Sequence, residues 1–200
     1  MRRPAFDGTG DNCSATLLEL LNCLSRALRD DARQRAVEHG LLRVHWEVLW
    51  FLRAANRYSN TLQILAAYLG QTKGSVSQSV QLLQRRGLLR REPDAKDRRV
   101  TRLALTDTGR RVLGTIETDS AWADAVQALP RAAVADANIA LTMLLRHWQQ
   151  GTGAATFGVC RSCACFQVEA SGRFRCGVTG EPLNNFDSGQ ICHVHRQSAK

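Results

Sequence analysis

No stretch of the chain approaches the roughly 18 apolar residues that a membrane-crossing helix requires, so no span is expected. The first twelve residues, Met1 to Asn12, carry two arginines but no apolar segment behind them, which argues against a secretory signal. Internal repeats and low-complexity blocks are missing too, and with them solenoid architectures. These absences lead us to expect a cytoplasmic protein with no membrane partner, whose thiols stay reduced. What is present is enough for a packed core: 200 residues, 44% of them hydrophobic, suit one domain or one domain with an appendage.

The formal charge is +9 and unevenly spread. Between Gln71 and Arg102 stand Lys73, Arg85, Arg86, Arg90, Arg91, Lys96, Arg98, Arg99 and Arg102, nine cations against the three acids Glu92, Asp94 and Asp97, a local excess of 9 − 3 = +6. A local excess of that size is the footprint of a phosphate backbone, although a solvated charged face is the usual fate of a charge run.

Apolar periodicity predicts one long helix over 13 to about 38 (Leu17, Leu21, Leu24, Leu28), ended by Gly40, with Cys13 and Cys23 read as packing residues. A second helix is expected from Arg43 to Arg57, with His45 a structural histidine. Two short helices follow, Thr61 to Leu69 and Thr72 to about Arg86, joined across Gly70. Two such helices around a glycine turn form a helix-turn-helix signature. Leu88–Arg91 and Arg99–Leu105 read as strands linked by the turn-rich Pro93–Asp97 segment. Thr106 should cap one long helix toward Leu129, and Pro130 should start a last helix to about Gln149. That last helix is apolar over much of its circumference and is expected to be buried on several sides. The resulting division is a flexible N-terminus at 1–12, a winged helix-turn-helix with terminal helices at 13–149, and a cysteine-rich appendage at 150–200 that begins with the flexible link Gly151–Thr156. The fold class is mainly α.

On a helical wheel Val76, Ser79, Val80 and Leu83 share one face of the Thr72–Arg86 helix, and Gly74, Ser75, Ser77, Gln78, Gln81 and Arg85 share the other. The outward face is small and polar at its N-terminal end, as insertion into a DNA major groove requires. Thr72, Lys73, Gly74, Ser75, Ser77, Gln78 and Gln81 are the candidate contacts there, with Lys73 on phosphate. Lys96, Arg98 and Arg99 form a basic wing tip suited to a minor groove. One of Asp94 and Asp97 should pair with Arg99 to hold that tip.

From Asp97-Arg98-Arg99 through Leu105-Thr106-Asp107-Thr108-Gly109-Arg110 the sequence resembles the wing and following helix of MarR-type regulators, and Gln71–Ser77 resembles their recognition-helix start. It departs at Lys96, where the family usually has arginine. The resemblance spans about 13–149. It implies a homodimer intertwined through the N- and C-terminal helices, reading a pseudo-palindrome in double-stranded DNA with half-sites about 10 base pairs apart. It implies no enzyme activity.

Five of the seven cysteines fall in the last quarter, as Cys160-Arg-Ser-Cys163-Ala-Cys165, Cys176 and Cys192-His-Val-His195. Such clustering points to metal. Two readings stand. Zinc would use Cys160/Cys163 and Cys192/His195 as paired ligands, with Cys176 able to replace one. A [4Fe–4S] cluster would use Cys160, Cys163, Cys176 and Cys192. The run with Phe166 after Cys165, then Cys176-Gly and Gly189-Gln-Ile-Cys192, is similar to high-potential iron–sulfur proteins, which implies the cluster, although their usual tryptophan is missing. Cys165 follows Cys163 too closely to share a metal, and His193 is expected to face solvent. The appendage would then sense redox state, oxygen or iron for a DNA-binding repressor. The alternative is a metabolite-responsive regulator with structural zinc, its small-molecule effector near Trp46, Trp50 and Arg53. A metalloenzyme fits poorly: the ligands are thiolates and one histidine, with no general base near them.

Overall fold

The computed structural model describes residues 13–118, 121–152 and 157–196. The expected flexible N-terminus at 1–12 and most of the expected link, 153–156, lie outside these residues. Four helices come first: α1 (Cys13–Glu38), α2 (Arg43–Ala54), α3 (Leu62–Leu69) and α4 (Lys73–Arg85). The antiparallel hairpin β1 (Leu89–Pro93) and β2 (Thr101–Leu105) follows, then α5 (Asp107–Thr118), α6 (Ala121–Gln127) and α7 (Arg131–Thr152). This is a mainly helical winged-helix fold. The helix expected from Thr106 toward Leu129 is seen as α5 and α6, and its residues 119–120 lie outside the described residues.

Local chemistry accounts for the helix boundaries. Thr61 Oγ1 accepts from Ile64 N at 3.4 Å, and Thr72 Oγ1 accepts from Ser75 N at 3.2 Å. Each satisfies one of the amides a helix start leaves open. Gly70 ends α3 at φ 62°, the left-handed conformation that glycine adopts without strain. α2 stops three residues before the expected Arg57, because Asn56 N donates to Ile191 O (2.9 Å) in the distant cysteine segment.

The core is built by α2, α3, α4, the hairpin and α5. Phe51, Leu49, Val48, Leu65, Val76, Val80, Leu83, Leu89, Leu103, Leu113 and Ile116 are sealed from solvent. α1 buries only Ala32 and Ala36. Cys13 and Cys23 are therefore exposed rather than packed, contrary to the sequence expectation. α7 also departs from expectation. Ile139, Met143, Leu145 and Trp148 are more than half exposed in the single chain. An apolar cleft of about 540 Å³ runs between α1 and α7, lined by Leu17, Leu21, Leu141, Leu144 and Trp148. α6 and α7 meet at a bend of 115°. Among the described residues no single helix is long and apolar enough to cross a membrane.

Gly109, in the first turn of α5, lies against the Leu88 carbonyl, and any Cβ there would overlap that group. Thr106 fixes this approach: its N donates to Leu88 O (3.1 Å), and its Oγ1 accepts from Gly109 N (3.0 Å). Gly109→Ala should therefore destabilise the winged helix by about 1–3 kcal/mol, the usual cost of forcing atoms into a packed site. Denaturant titration measures this, and wild-type stability would refute the contact.

Candidate nucleic-acid interface and cysteine module

α4 buries Val76, Ser79, Val80 and Leu83, the face expected to turn inward. Lys73, Gly74, Ser75, Gln78 and Gln81 are exposed, as is the capping Thr72, and Ser77 is half-buried. The helix N-terminus thus presents open amides and a lysine to solvent, an arrangement that favours anions.

The nine cations of this region divide by what they touch. Arg86 donates to the carbonyls of Gly40 (2.6 Å) and His39 (3.0 Å), closing the end of α1. Arg90 pairs with Glu92. Arg102 bonds Asp94 Oδ2 (2.7 Å) and Tyr58 O (3.1 Å). Asp94 Oδ1 also accepts from the amides of Asp97 (3.0 Å) and Lys96 (2.9 Å). Those amides and Arg102 hold the Asp94 carboxyl down to about 2. Asp97 takes Arg99 in a forked pair at 2.9 and 3.0 Å, as the wing was expected to require, and leaves the Arg99 side chain 90% exposed. Among the described residues Lys73, Arg85, Arg91 and Arg98 have no carboxylate partner. Those four, and Arg99, are the charges left for phosphate.

Lys96 is placed differently from expectation. Its Nζ pairs with Glu181 of the cysteine module rather than standing open at the wing tip. Nothing in the local sequence signals this, because the partner is 85 residues away.

That module is a small folded unit. β3 (Gly158–Val159) pairs with β7 (Ile191–Cys192), and β4 (Phe166–Val168), β5 (Phe174–Cys176) and β6 (Pro182–Leu183) form a second sheet. A 3-10 turn at Cys160–Ser162 and the short α8 (Asn185–Ser188) complete it. Cys160 follows β3, and Cys176 and Cys192 end β5 and β7, so the strand ends bring the cysteines together. Cys160, Cys176 and Cys192 are buried and Cys163 is half-buried. Together with Cys165, Phe166, Val178, Leu183 and Val194 they line one small space of about 10 Å³, the room of one water molecule. Among the described residues, no three His, Cys, Asp or Glu side chains stand in the arrangement of a single-ion site.

The sulfurs sense one another. A hydrogen bond to Cys192, then burial, then the nearby Cys192, Cys176 and Cys163 push the Cys160 thiol up. The same bond from Cys160, helped by Asn56 and the Val194 amide, pulls Cys192 down toward thiolate. Asn56 Nδ2 is fully buried and makes no regular hydrogen bond, so it is a donor facing a sulfur. Two amides, Cys165 N (3.4 Å) and Arg196 N (3.3 Å), donate to Cys163 Sγ. Amide donors around buried sulfurs favour the charge that metal ligation requires.

Cys165 lines the same space, contrary to the expectation that it points elsewhere, but it is absent from the groups that shift Cys160. His195 does not line the space. Its ring lies against Gly158, where a Cβ would come within 2.6 Å of it, and its Nε2 is 3.1 Å from Ser162 Oγ. His193 is half-buried rather than solvent-facing, because its N donates to Ser59 Oγ (3.0 Å) and its Nδ1 lies 3.2 Å from the same hydroxyl.

The module is docked on the loop between α2 and α3. Besides the Asn56–Ile191 and Ser59–His193 bonds, Gln190, with its amide turned to donate, reaches the last carbonyls of α2 at Arg53 (2.9 Å), Ala54 (2.9 Å) and Ala55 (3.1 Å). Arg57 Nη2 donates to Pro182 O (2.9 Å). The expected effector residues separate: Trp46 and Trp50 line a cleft of about 430 Å³ with Tyr68, Arg43 and Gln71, while Arg53 leaves it to fork onto Glu117.

Residues 39–100 match the model of the MarR family. The fold is shared with solved MarR-type structures. These include a MarR-family transcription regulator at 18% identity and TM-score 0.59, covering 72% of this chain and 95% of that one. CouR from Rhodococcus jostii RHA1, bound to p-coumaroyl-CoA, aligns at 23% identity and TM-score 0.55, over 68% and 95%. Staphylococcus aureus MepR in complex with DNA aligns at 24% and 0.52, over 64% and 96%. No curated protein matches the sequence significantly. The chain thus shares the winged-helix fold of these proteins, and at these identities the structural likeness is one of fold.

Ser59 is wholly buried and serves both lobes: its Oγ donates to Asn56 Oδ1 (2.7 Å) and accepts from His193 N. Ser59→Ala leaves the His193 amide without its acceptor, at about 1–3 kcal/mol, while Asn56 Oδ1 keeps the Tyr58 amide. Hydrogen exchange should show faster exchange at His193 and across 157–196, with α3 and α4 unchanged. Unchanged protection at His193 would remove Ser59 as the anchor.

Proposed function

We propose that the protein is a homodimeric DNA-binding transcriptional regulator, a repressor, whose module at 157–196 is a four-thiolate metal centre. The observation that carries the DNA reading is the exposed polar N-terminal half of α4 beside Lys73, Arg85, Arg91 and Arg98, which have no carboxylate partner among the described residues, on the same fold as a MepR–DNA complex. Gln78, Gln81, Ser75 and Ser77 would read base edges, and Lys73, Arg98 and Arg99 would contact phosphate or the minor groove. The bare leucines of α1 and α7 support a dimer, since exposed apolar surface on that scale marks an interface.

The convergence of Cys160, Cys163, Cys176 and Cys192, with amide donors around them, supports a metal held by four sulfurs. His195, whose ring packs on Gly158 and does not line their space, is then a neighbour and not a ligand. A [4Fe–4S] cluster in that position would supply a redox-active centre that senses oxygen, redox state or iron. Structural zinc is the second reading, with a metabolite in the Trp46–Trp50–Tyr68 cleft. It is favoured by the small space between the sulfurs, which is closer to the room of one ion than of four irons; the thiols must shift to hold a single ion and part further to hold a cluster.

Anaerobic purification with assay of iron, sulfide and zinc separates the readings. The cluster reading expects a brown protein with equal iron and sulfide. A colourless protein with one zinc per chain overturns it and leaves the second. In either case Ser at 160, 163, 176 or 192 should release metal while the protein stays dimeric, and Cys165→Ser and His195→Ala should keep it.

Arg98→Ala should weaken DNA binding without unfolding the chain. Gln78→Ala should change sequence preference by about 1–3 kcal/mol if its contact is bidentate. A Gln78→Ala, Arg98→Ala double variant with a wild-type footprint would remove α4 and the wing as the reading element.

A further inference from the structure

The wing lysine and the cysteine module are joined by one carboxylate. Both oxygens of Glu181 are engaged: Oε1 takes Lys96 Nζ, and Oε2 takes the Tyr58 hydroxyl with Arg57 Nη2 3.0 Å away. Glu181 is itself four-fifths covered, while the Lys96 side chain is 77% exposed. The carboxylate is thus the fixed partner and the lysine the movable one. Lys96 and the Tyr58 hydroxyl hold the Glu181 carboxyl below its ordinary range, so it is charged wherever DNA binding would be measured.

The position of Glu181 is set by a cysteine. Cys176 N donates to Glu181 O (2.9 Å), and Gly180 N donates to Cys176 O (2.7 Å). This tight turn, with Gly180 at φ 71°, runs from Cys176 to Glu181 and places the carboxylate against the wing. A shift of Cys176 therefore moves Glu181.

We propose that the module is a latch on the wing: Glu181 holds Lys96 away from DNA phosphate, so that the docked module lowers the affinity of the chain for DNA. The inference rests on the reading of α4 and the wing as the DNA-binding element, and adds to it which residue the module controls and in which direction. A lysine bound to a carboxylate must give up that partner before it meets phosphate, and the carboxylate charge itself repels the backbone. The DNA-binding gain on release is limited, because Lys96 is exposed and exposed pairs are weak. The salt dependence is the sharper signature, since each lysine newly placed on phosphate releases counterions.

The test compares full-length wild type, Glu181→Gln, Lys96→Ala and the double variant, all with metal as purified, on a mixed-sequence DNA duplex across a salt series. Glu181→Gln should bind about 1.5- to 5-fold more tightly at low salt. Its slope of log affinity on log salt should steepen by about 0.9 per protomer. Tyr58→Phe, which removes one bond to Glu181 without changing charge, should move affinity the same way by less. In the Lys96→Ala background Glu181→Gln should lose the slope change. Equal or weaker binding by Glu181→Gln, or a slope change that survives without Lys96, overturns the latch while leaving DNA binding intact. A wild-type chain that binds no duplex at any salt overturns the DNA reading, and the latch falls with it. Metal content and far-ultraviolet dichroism should be unchanged in Glu181→Gln, since Glu181 is not among the sulfur ligands.

Discussion

The loop from Ala55 to Asn60 holds the two parts of the molecule in register. Asn60 O accepts from Leu103 N (2.7 Å), tying the loop to the wing strand, while Asn56 and Ser59 tie it to the cysteine module. Tyr58 contributes to both sides, its carbonyl to Arg102 and its hydroxyl to Glu181. Because these backbone and side-chain groups are largely buried, each needs its partner, and losing one leaves an unsatisfied polar group rather than a solvated one. The wing and the module therefore share a single support.

Charge is arranged around that support by use. Arg86 and Arg102 are consumed by structure, Arg90 by a neighbour on its own strand, and Lys96 by the module. What remains open lies on α4, at Arg91 of β1 and at the wing tip. A net charge per segment, such as the +6 counted in sequence, therefore overstates what a phosphate backbone would meet. The same separation holds among the sulfurs. Backbone amides surround Cys163, a side-chain amide faces Cys192, and Cys165 supplies an N–H as well as a thiol.

Much of the winged helix was legible in sequence, because it is built from local rules: the inward face of α4, the Thr72 and Thr106 caps, the Asp97–Arg99 pair and the hairpin were all readable from spacing and residue type. Its failures share a cause. The end of α2, the half-buried His193 and the pairing of Lys96 all depend on contacts between segments more than a hundred residues apart, or nearly so, and periodicity carries no trace of such contacts. The exposure of Cys13, Cys23 and α7 was missed for another reason: an apolar face says that something must cover it, not that its own chain will. In the cysteine module the spacing indicated that thiols converge, and it said nothing of which way His195 turns.

The Gly158–His195 contact has a consequence for how such a chain can diverge. The imidazole occupies the volume in which any other residue at 158 would place its first side-chain carbon. The two positions are thus a lock and a blank: a methyl at 158 evicts the ring, and a small residue at 195 leaves a hollow beside the strand that carries Cys192. Drift at one site is tolerated only with a matching change at the other. In relatives bearing this module, glycine at the first position and a ring at the second should be inherited as a pair, even where the surface around them has been rewritten.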